Sequence, residues 1–237
     1  MFPKCQLILS TWAPNTTLLE LVDEYIVNED PGNRVINVDG LDIQVNCNYL
    51  RQAISTRSGL QCADRRFSIK WRSDFEFDRH KLKSVVLGAG SYLESGALVV
   101  SSVTTANPYT YPNLVGHISD WFYIGDTERL LNSVSQDDIT HPNHHLTISK
   151  LDYRKFNFPT DGFTGEQKML KPFLKSYMPD IDDACQAKNI DVFLNLFSEK
   201  ILVVNPSHVG LRSHKYDRFT DLKIKTLKSF IGHWLTS

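Results

Sequence analysis

The stretch Phe67-Ser68-Ile69-Lys70-Trp71-Arg72-Ser73-Asp74-Phe75-Glu76-Phe77-Asp78 carries the reading of the fold. Its first five residues, rich in aromatic and β-branched side chains, predict a strand from Phe67 to Trp71. That strand runs straight into acids that alternate with aromatics. On an extended backbone, Asp74, Glu76 and Asp78 share one face and Phe75 and Phe77 the other. Carboxylates two residues apart then lie about 7 Å apart at their Cα atoms, close enough to share one divalent cation. A strand that ends in such a cluster fits an open α/β sheet, whose ligands sit beyond the carboxyl ends of the strands.

Four further apolar runs have the same size and the same kind of ending. Gln6 to Ser10 is the first strand, closed by Ser10-Thr11-Trp12, and a helix follows over Thr16 to Val22 with Asn15 or Thr16 as its cap. Tyr25 to Asn28 stops at Glu29-Asp30-Pro31-Gly32, which must turn because Pro31 lacks a donor and Gly32 accepts positive φ. Leu98 to Thr104 ends at Ala106-Asn107-Pro108-Tyr109, and Ile201 to Val204 ends at Asn205-Pro206. Between them, residues 46–63 place Leu50, Ala53, Ile54 and Leu60 at near-helical spacing, with Gly59 near the helix end and Asn48, Arg51, Gln52 and Arg57 opposite. Residues 117–132 combine a short aromatic strand, a Gly-Asp turn and a helix start capped by Asp126 or Thr127. Residues 133–162 read as a long polar loop, Gly165 to Tyr177 as a helix, and the last twenty residues as an amphipathic closing helix that buries Leu222, Leu227, Phe230 and Ile231. Short apolar runs separated by helical segments predict an α/β chain with a mainly parallel central sheet flanked by helices.

Composition bounds the function. The chain has 237 residues, and its 26 Lys+Arg against 27 Asp+Glu leave a formal net charge of −1. Scattered basic residues supply no concentrated positive field, so nucleic acid is not an expected partner. Apolar runs such as Ala97 to Val100 are far below the roughly 20 residues of a membrane helix. The opening Met-Phe-Pro-Lys-Cys-Gln lacks the pattern of a signal peptide, so a cytoplasmic location is expected. Cys5, Cys47, Cys62 and Cys185 show no CxxC spacing and read as reduced, mostly buried thiols. One domain over residues 1–237 is the default.

Four strand ends carry polar clusters, and their joint occurrence points to one crevice. Asp74 and Glu76 read as ligands of a divalent cation bound to a diphosphate, against the competing reading of alternate acids on a surface edge. Arg212 and Lys215 can neutralise phosphate charge as a diphosphate leaves, although alone they are solvated bases. Glu166 can act as general base on an acceptor hydroxyl, or it is a plain carboxylate in the first turn of its helix. His141-Pro142-Asn143-His144-His145 lacks the spacing of a zinc site. His117-Ile118-Ser119 and His145-Leu146-Thr147 repeat the element of two-histidine phosphoesterases, which keeps that activity as an alternative.

Taken in order, these motifs resemble the WavE-type lipopolysaccharide and capsule glycosyltransferases. The resemblance runs through Leu9-Ser10-Thr11-Trp12, Val27-Asn28-Glu29-Asp30-Pro31-Gly32, Asn48 with Arg51-Gln52, Ser55-Thr56 and Gly59-Leu60, then Lys70 with Arg72-Ser73-Asp74. It continues through His117-Ile118-Ser119-Asp120-Trp121-Phe122 with Gly125, Glu166-Gln167, and Asn205-Pro206 with Gly210, Ser213 and Lys215-Tyr216. It implies a single GT-A-like domain that transfers a sugar, with inversion, from a nucleotide-sugar donor to a glycan or glycolipid acceptor of the bacterial surface. In that picture Ser10, Thr11, Trp12, Asn28, Glu29, Asp30, Arg51 and Arg72 hold the donor nucleotide. Asp74 and Glu76 form a D-x-E variant of the metal motif for Mg²⁺ or Mn²⁺, Asp120 and Trp121 line the sugar or acceptor side, and Glu166 matches the base. The resemblance also implies peripheral association with the inner membrane or with other polysaccharide-assembly proteins. A catalytically silent carbohydrate-binding domain is the third reading.

Overall fold

The structure, a computed structural model, describes residues 5–38, 41–46, 48–102, 116–118, 121–134, 175 and 190–212. In chain order these form β1 (Ile8–Thr11), a 3-10 helix (Thr16–Leu21), β2 (Glu24–Val27), β3 (Asn33–Val38), β4 (Leu41–Asn46) and α1 (Asn48–Gln61). Then come β5 (Phe67–Trp71), α2 (Arg79–Gly88), α3 (Gly90–Glu94), β6 (Leu98–Ser101), β7 (Phe122–Asp126) and α4 (Thr127–Ser133). The last described elements are α5 (Ile190–Lys200), β8 (Ile201–Val204) and α6 (Pro206–Val209).

The α/β class is observed, and the mainly parallel sheet is not. Among the described residues the strands form three sheets: a parallel pair β1-β2, an antiparallel pair β3-β4, and a four-stranded mixed sheet ordered β5-β7-β6-β8. In the last, β7 runs antiparallel to both β5 and β6, and only β6 and β8 are parallel. An apolar strand covered on both faces has the same residue pattern whichever way its neighbour runs, so direction is not written in such a pattern.

The core centres on β6 and β7. Leu98, Val99, Val100 and Phe122 have no exposed surface, and Ile124 has almost none. Full burial of each such side chain stabilises the fold by about 1.5–3 kcal/mol before conformational entropy is subtracted. Around them pack Phe75, Leu82, Leu93, Trp121, Val209 and Leu211. In α1 the buried residues are Leu50, Ala53, Thr56 and Leu60, while Ile54 is only half-buried. Gly59 lies inside the last turn of α1, facing Ser10 and Ile8 where the helix crosses β1.

Several boundaries shift for local reasons. The helix after β1 is a 3-10 helix, capped by the Asn15 side chain, which accepts from Thr17 N. Gly125 and Asp126 complete β7 rather than a turn, and Asp126 caps α4 by accepting from Arg129 N. Cys5 and Cys62 are free and exposed, contrary to the buried reading, because they lie just before β1 and just past the end of α1. Most of the expected helix from Gly165 to Tyr177, the long polar loop beyond Val134, and the closing helix lie outside the described residues.

The backbone after β5 does not stay extended. Phe75 N donates to Arg72 O at 3.2 Å, closing a turn over Ser73 and Asp74, residues that favour turns through their short polar side chains. The three acids therefore do not share one strand face. Phe75 still enters the core, and Phe77 sets its ring edge-on to both Trp71 and Phe122. Asp78 has a third role, capping α2 by accepting from His80 N and Lys81 N at 2.9 and 3.1 Å.

Gly210 locks this segment to α6. Its φ is +61°, and a Cβ there would stand 2.4 Å from Asp78 Cβ and 3.0 Å from Asp78 N. Gly32 has φ +71° with open space around it. Gly210→Ala is therefore expected to cost about 2–4 kcal/mol, strain plus clash, and Gly32→Ala about 1 kcal/mol. Equal losses of melting temperature in the two variants would show that the Asp78 contact is not tight.

Candidate functional site

Two polar groups form at strand ends, each built by a different pair of elements. The first joins the ends of β1 and β2 to α1. Asn28 Nδ2 donates to Ser10 Oγ at 2.7 Å and to Thr11 O at 3.0 Å, and Asn28 N donates to Thr11 O at 2.7 Å. Parallel pairing of Thr11 with Val27 brings these residues level. Asp30 Oδ1 accepts from Gly32 N at 2.9 Å and from Arg51 Nε at 2.8 Å, and Arg51 Nη2 reaches Asp30 Oδ2 at 3.3 Å. Of the residues expected to hold a nucleotide, Ser10, Thr11 and Asn28 are thus linked by direct contacts, as are Asp30 and Arg51. Trp12 and Glu29 adjoin them in sequence, half-buried and exposed respectively.

The second group lies on one edge of the four-stranded sheet. Trp71 pairs with Phe122, Val100 with Tyr123 and Ser101 with Val204, so the carboxyl ends of β5, β6 and β8 meet the start of β7 on that edge. Arg72 N donates to Trp121 O at 3.3 Å, and Ser102 N donates to Val204 O at 2.9 Å. Glu76 and Arg212 form an antiparallel bridge, each N–H donating to the other's carbonyl at 2.9 Å. Residues opposed in such a bridge project their side chains to the same face. The structure therefore brings Arg72, Asp74, Glu76, Trp121 and Arg212 together, as a convergence at strand ends requires.

Within this group one pair of charges is already matched. The Arg72 fork grips Asp74, Nε to Oδ1 at 3.0 Å and Nη2 to Oδ2 at 2.9 Å, with both side chains partly exposed. Arg72 also lies over the Phe75 ring, 5.6 Å from its centroid. Trp121, expected on the sugar side, is 5% exposed and packs on Phe75 with ring centroids 4.2 Å apart. Among the described residues no three His, Cys, Asp or Glu side chains gather as a metal cage. A hard cation that shares a diphosphate needs only one or two carboxylates. A carboxylate in a bidentate Arg fork keeps lone pairs for a further ligand, so Asp74 fits Mg²⁺ or Mn²⁺ in donor chemistry, while the turn takes Glu76 off the strand face it was expected to share with Asp74.

Glu166, Asp120, Lys215 and His145 lie outside the described residues, as does the His141 to His145 run. His117 is half-buried beside the fully buried Ile118. Sequence reasoning missed a cavity between α1, β5, β7 and α4, lined by Thr56, Lys70, Tyr123 and Ser133 among others, with Lys70 Nζ 5.2 Å from the Tyr123 ring centroid. At about 10 Å³ it has room for about one water molecule, far too little for a nucleotide sugar. The helix α1 packs on both β1 and α4. Among the described residues no helix is long and apolar enough to cross a membrane.

The described residues thus define an α/β protein with a mixed main sheet and charged side chains at the carboxyl ends of several strands. The chain belongs to the WavE lipopolysaccharide synthesis family, whose family model matches residues 1–236, and its part is in lipopolysaccharide synthesis. No curated protein and no solved structure matches it.

Asp30 makes the first group sensitive to acid. The hydrogen bond from Arg51 holds its carboxyl below the usual carboxylate value, and the Gly32 N–H adds to this. A depressed folded-state value means that this contribution is fully present above the unfolded value of about 3.9 and is lost as pH falls through the lower folded value. Asp30→Asn is expected to flatten the fall in melting temperature between about pH 5 and about pH 3. An unchanged slope in the variant would mean that the Arg51 contact does not persist in solution.

Proposed function

We propose that the chain transfers a sugar from a nucleotide-sugar donor to a glycan or glycolipid of the bacterial surface, lipopolysaccharide or capsule. It does so by a single inverting displacement on a GT-A-like domain at the cytoplasmic side of the inner membrane. Membership of the family supports the pathway, and the edge where Arg72, Asp74, Glu76 and Arg212 meet supports the chemistry.

That edge is the observation that carries the reading. Arg72 is already paired with Asp74, so it offers little surplus charge to the two negative charges of the donor's diphosphate. A divalent ion held by Asp74 with Glu76 supplies that balance when bound, easing the departure of the diphosphate. Arg72 and Arg212, with Lys215, donate to phosphate oxygens as negative charge collects on them. The Ser10, Thr11, Asn28 and Arg51 group offers hydroxyl, amide and guanidinium donors to the nucleoside, with Trp12, Glu29 and Asp30 alongside. Glu166 accepts the proton of the attacking hydroxyl, and Asp120 borders the acceptor side, with Trp121 buried next to it in sequence.

The first test is thermal unfolding of the whole chain with UDP, GDP, CMP and dTDP ligands, each with and without Mn²⁺, because a ligand specific to the native state raises its apparent stability. A metal-dependent shift with one nucleotide is expected. Once the donor is known, Asp74→Asn should reduce transfer by about a hundredfold or more and abolish the metal dependence of the shift. Glu166→Gln should lower turnover by about 10²–10⁴-fold with donor affinity unchanged. Full activity in Asp74→Asn would remove Asp74 from the site. Equal loss of affinity and turnover in Glu166→Gln would make that residue a binding group.

A further inference from the structure

α2 carries a surface that the transfer reading does not use. Its inner face is ordinary: Leu82 is buried, and Val85 and Val86 pack against the core. Every charged side chain on it is basic, and Arg79, His80, Lys81 and Lys83 are all exposed. Arg79, Lys83 and Leu87 are spaced four residues apart, so they line one stripe along the helix. Leu87 is 70% exposed, and Tyr92 in α3, just beyond it, is 47% exposed. Basic residues in a first turn oppose the helix dipole, so the helix itself gains nothing from them there.

The nearby acids do not cancel this surface. Asp78 is committed to the helix cap, and its carboxyl is held below the usual range first by the Lys81 N–H. Glu94, at the end of α3, is ion-paired with Arg66 at 2.7 Å. Lys81 turns toward α6, donating its Nζ to Ser207 O at 3.3 Å. Arg79 and Lys83 thus stand as a positive stripe that ends in an exposed leucine, with an exposed tyrosine five residues further along the chain.

We propose that this stripe docks the protein on an anionic phospholipid surface, with Arg79 and Lys83 over the headgroups and Leu87 and Tyr92 at the boundary with the acyl chains. The charge is complementary to such a surface, and the apolar end has a use only where hydrocarbon lies beneath the charge. A nucleic acid would engage the same cations but gain nothing from Leu87. Docking would also set the strand edge close to the membrane, since α2 starts just after Glu76 and Asp78 N is bonded to Val209 O at 3.2 Å. The proposal stands on the α2 surface and not on the transfer reading, so either can fail alone.

The test is co-sedimentation of the full chain with vesicles of phosphatidylcholine alone and of phosphatidylcholine mixed with phosphatidylglycerol, at low and high salt. Binding is expected to the anionic vesicles only, weakening as salt screens the contact. Lys83→Glu should weaken it by about tenfold or more, as should Leu87→Ser, whereas Lys175→Glu, the same charge change at an exposed position outside α2, should leave it nearly unchanged. All three positions are exposed, so unchanged circular dichroism and melting temperature are expected. Equal binding to both vesicle types, no binding, or equal loss in Lys83→Glu and Lys175→Glu would overturn the proposal. So would a concentration-dependent dimer that Leu87→Ser dissolves, which would assign the face to a second copy of the chain.

Discussion

Strand β7 hydrogen-bonds along both edges, to β5 through Trp71–Phe122 to Phe67–Asp126 and to β6 through Val99–Ile124 and Val100–Tyr123. Buried on both sides, it has no water to satisfy its backbone, so the two ladders are obligatory rather than optional. The polar group around Arg72 and Arg212 inherits its position from this pairing. Because β7 is antiparallel to its neighbours, its amino end, and with it Trp121, meets the carboxyl ends of β5, β6 and β8. The turn over Ser73 and Asp74 is then anchored from two sides, by Arg72 N to Trp121 O and by the Glu76–Arg212 bridge.

The charges of the site are arranged as pairs before any ligand arrives. Arg51 holds Asp30 and Arg72 holds Asp74, each through a fork of two contacts. Both pairs are partly exposed, and such pairs contribute little stability by themselves. Their effect is on geometry: a guanidinium fixed by a carboxylate keeps its remaining N–H groups aimed, so fewer rotamers need to be ordered when an anion binds.

Much of the fold was legible one element at a time. Phe67–Trp71 and Ile201–Val204 were readable to the residue, because short runs of β-branched and aromatic side chains bounded by turn formers have few alternatives. The helix over Asn48–Gln61 and the caps at Asn15 and Asp126 followed from spacing and from side chains that satisfy orphan amides. The β3–β4 hairpin was missed, although Asp39-Gly40 between Val35-Ile36-Asn37-Val38 and Leu41-Asp42-Ile43-Gln44-Val45 is the strongest short-range signal for one. At Arg72–Asp78 alternation was read as an extended strand, and the turn-forming pair Ser73-Asp74 prevailed over it. For the candidate site, residue types and their grouping at strand ends were legible; which carboxylate meets which guanidinium was not.

The sequence by itself determined the α/β class, the strand ends that carry polar residues, and the family to which the chain belongs, because these depend on local periodicity and on ordered motifs. Only the tertiary structure decided that the main sheet is mixed, that Trp121 is buried against Phe75, and that Arg72 closes on Asp74. Strand direction, and contacts between residues far apart in the chain, are set by which backbones pair and which side chains fill the space left over. A one-dimensional pattern specifies what each segment buries, and not what it is buried against.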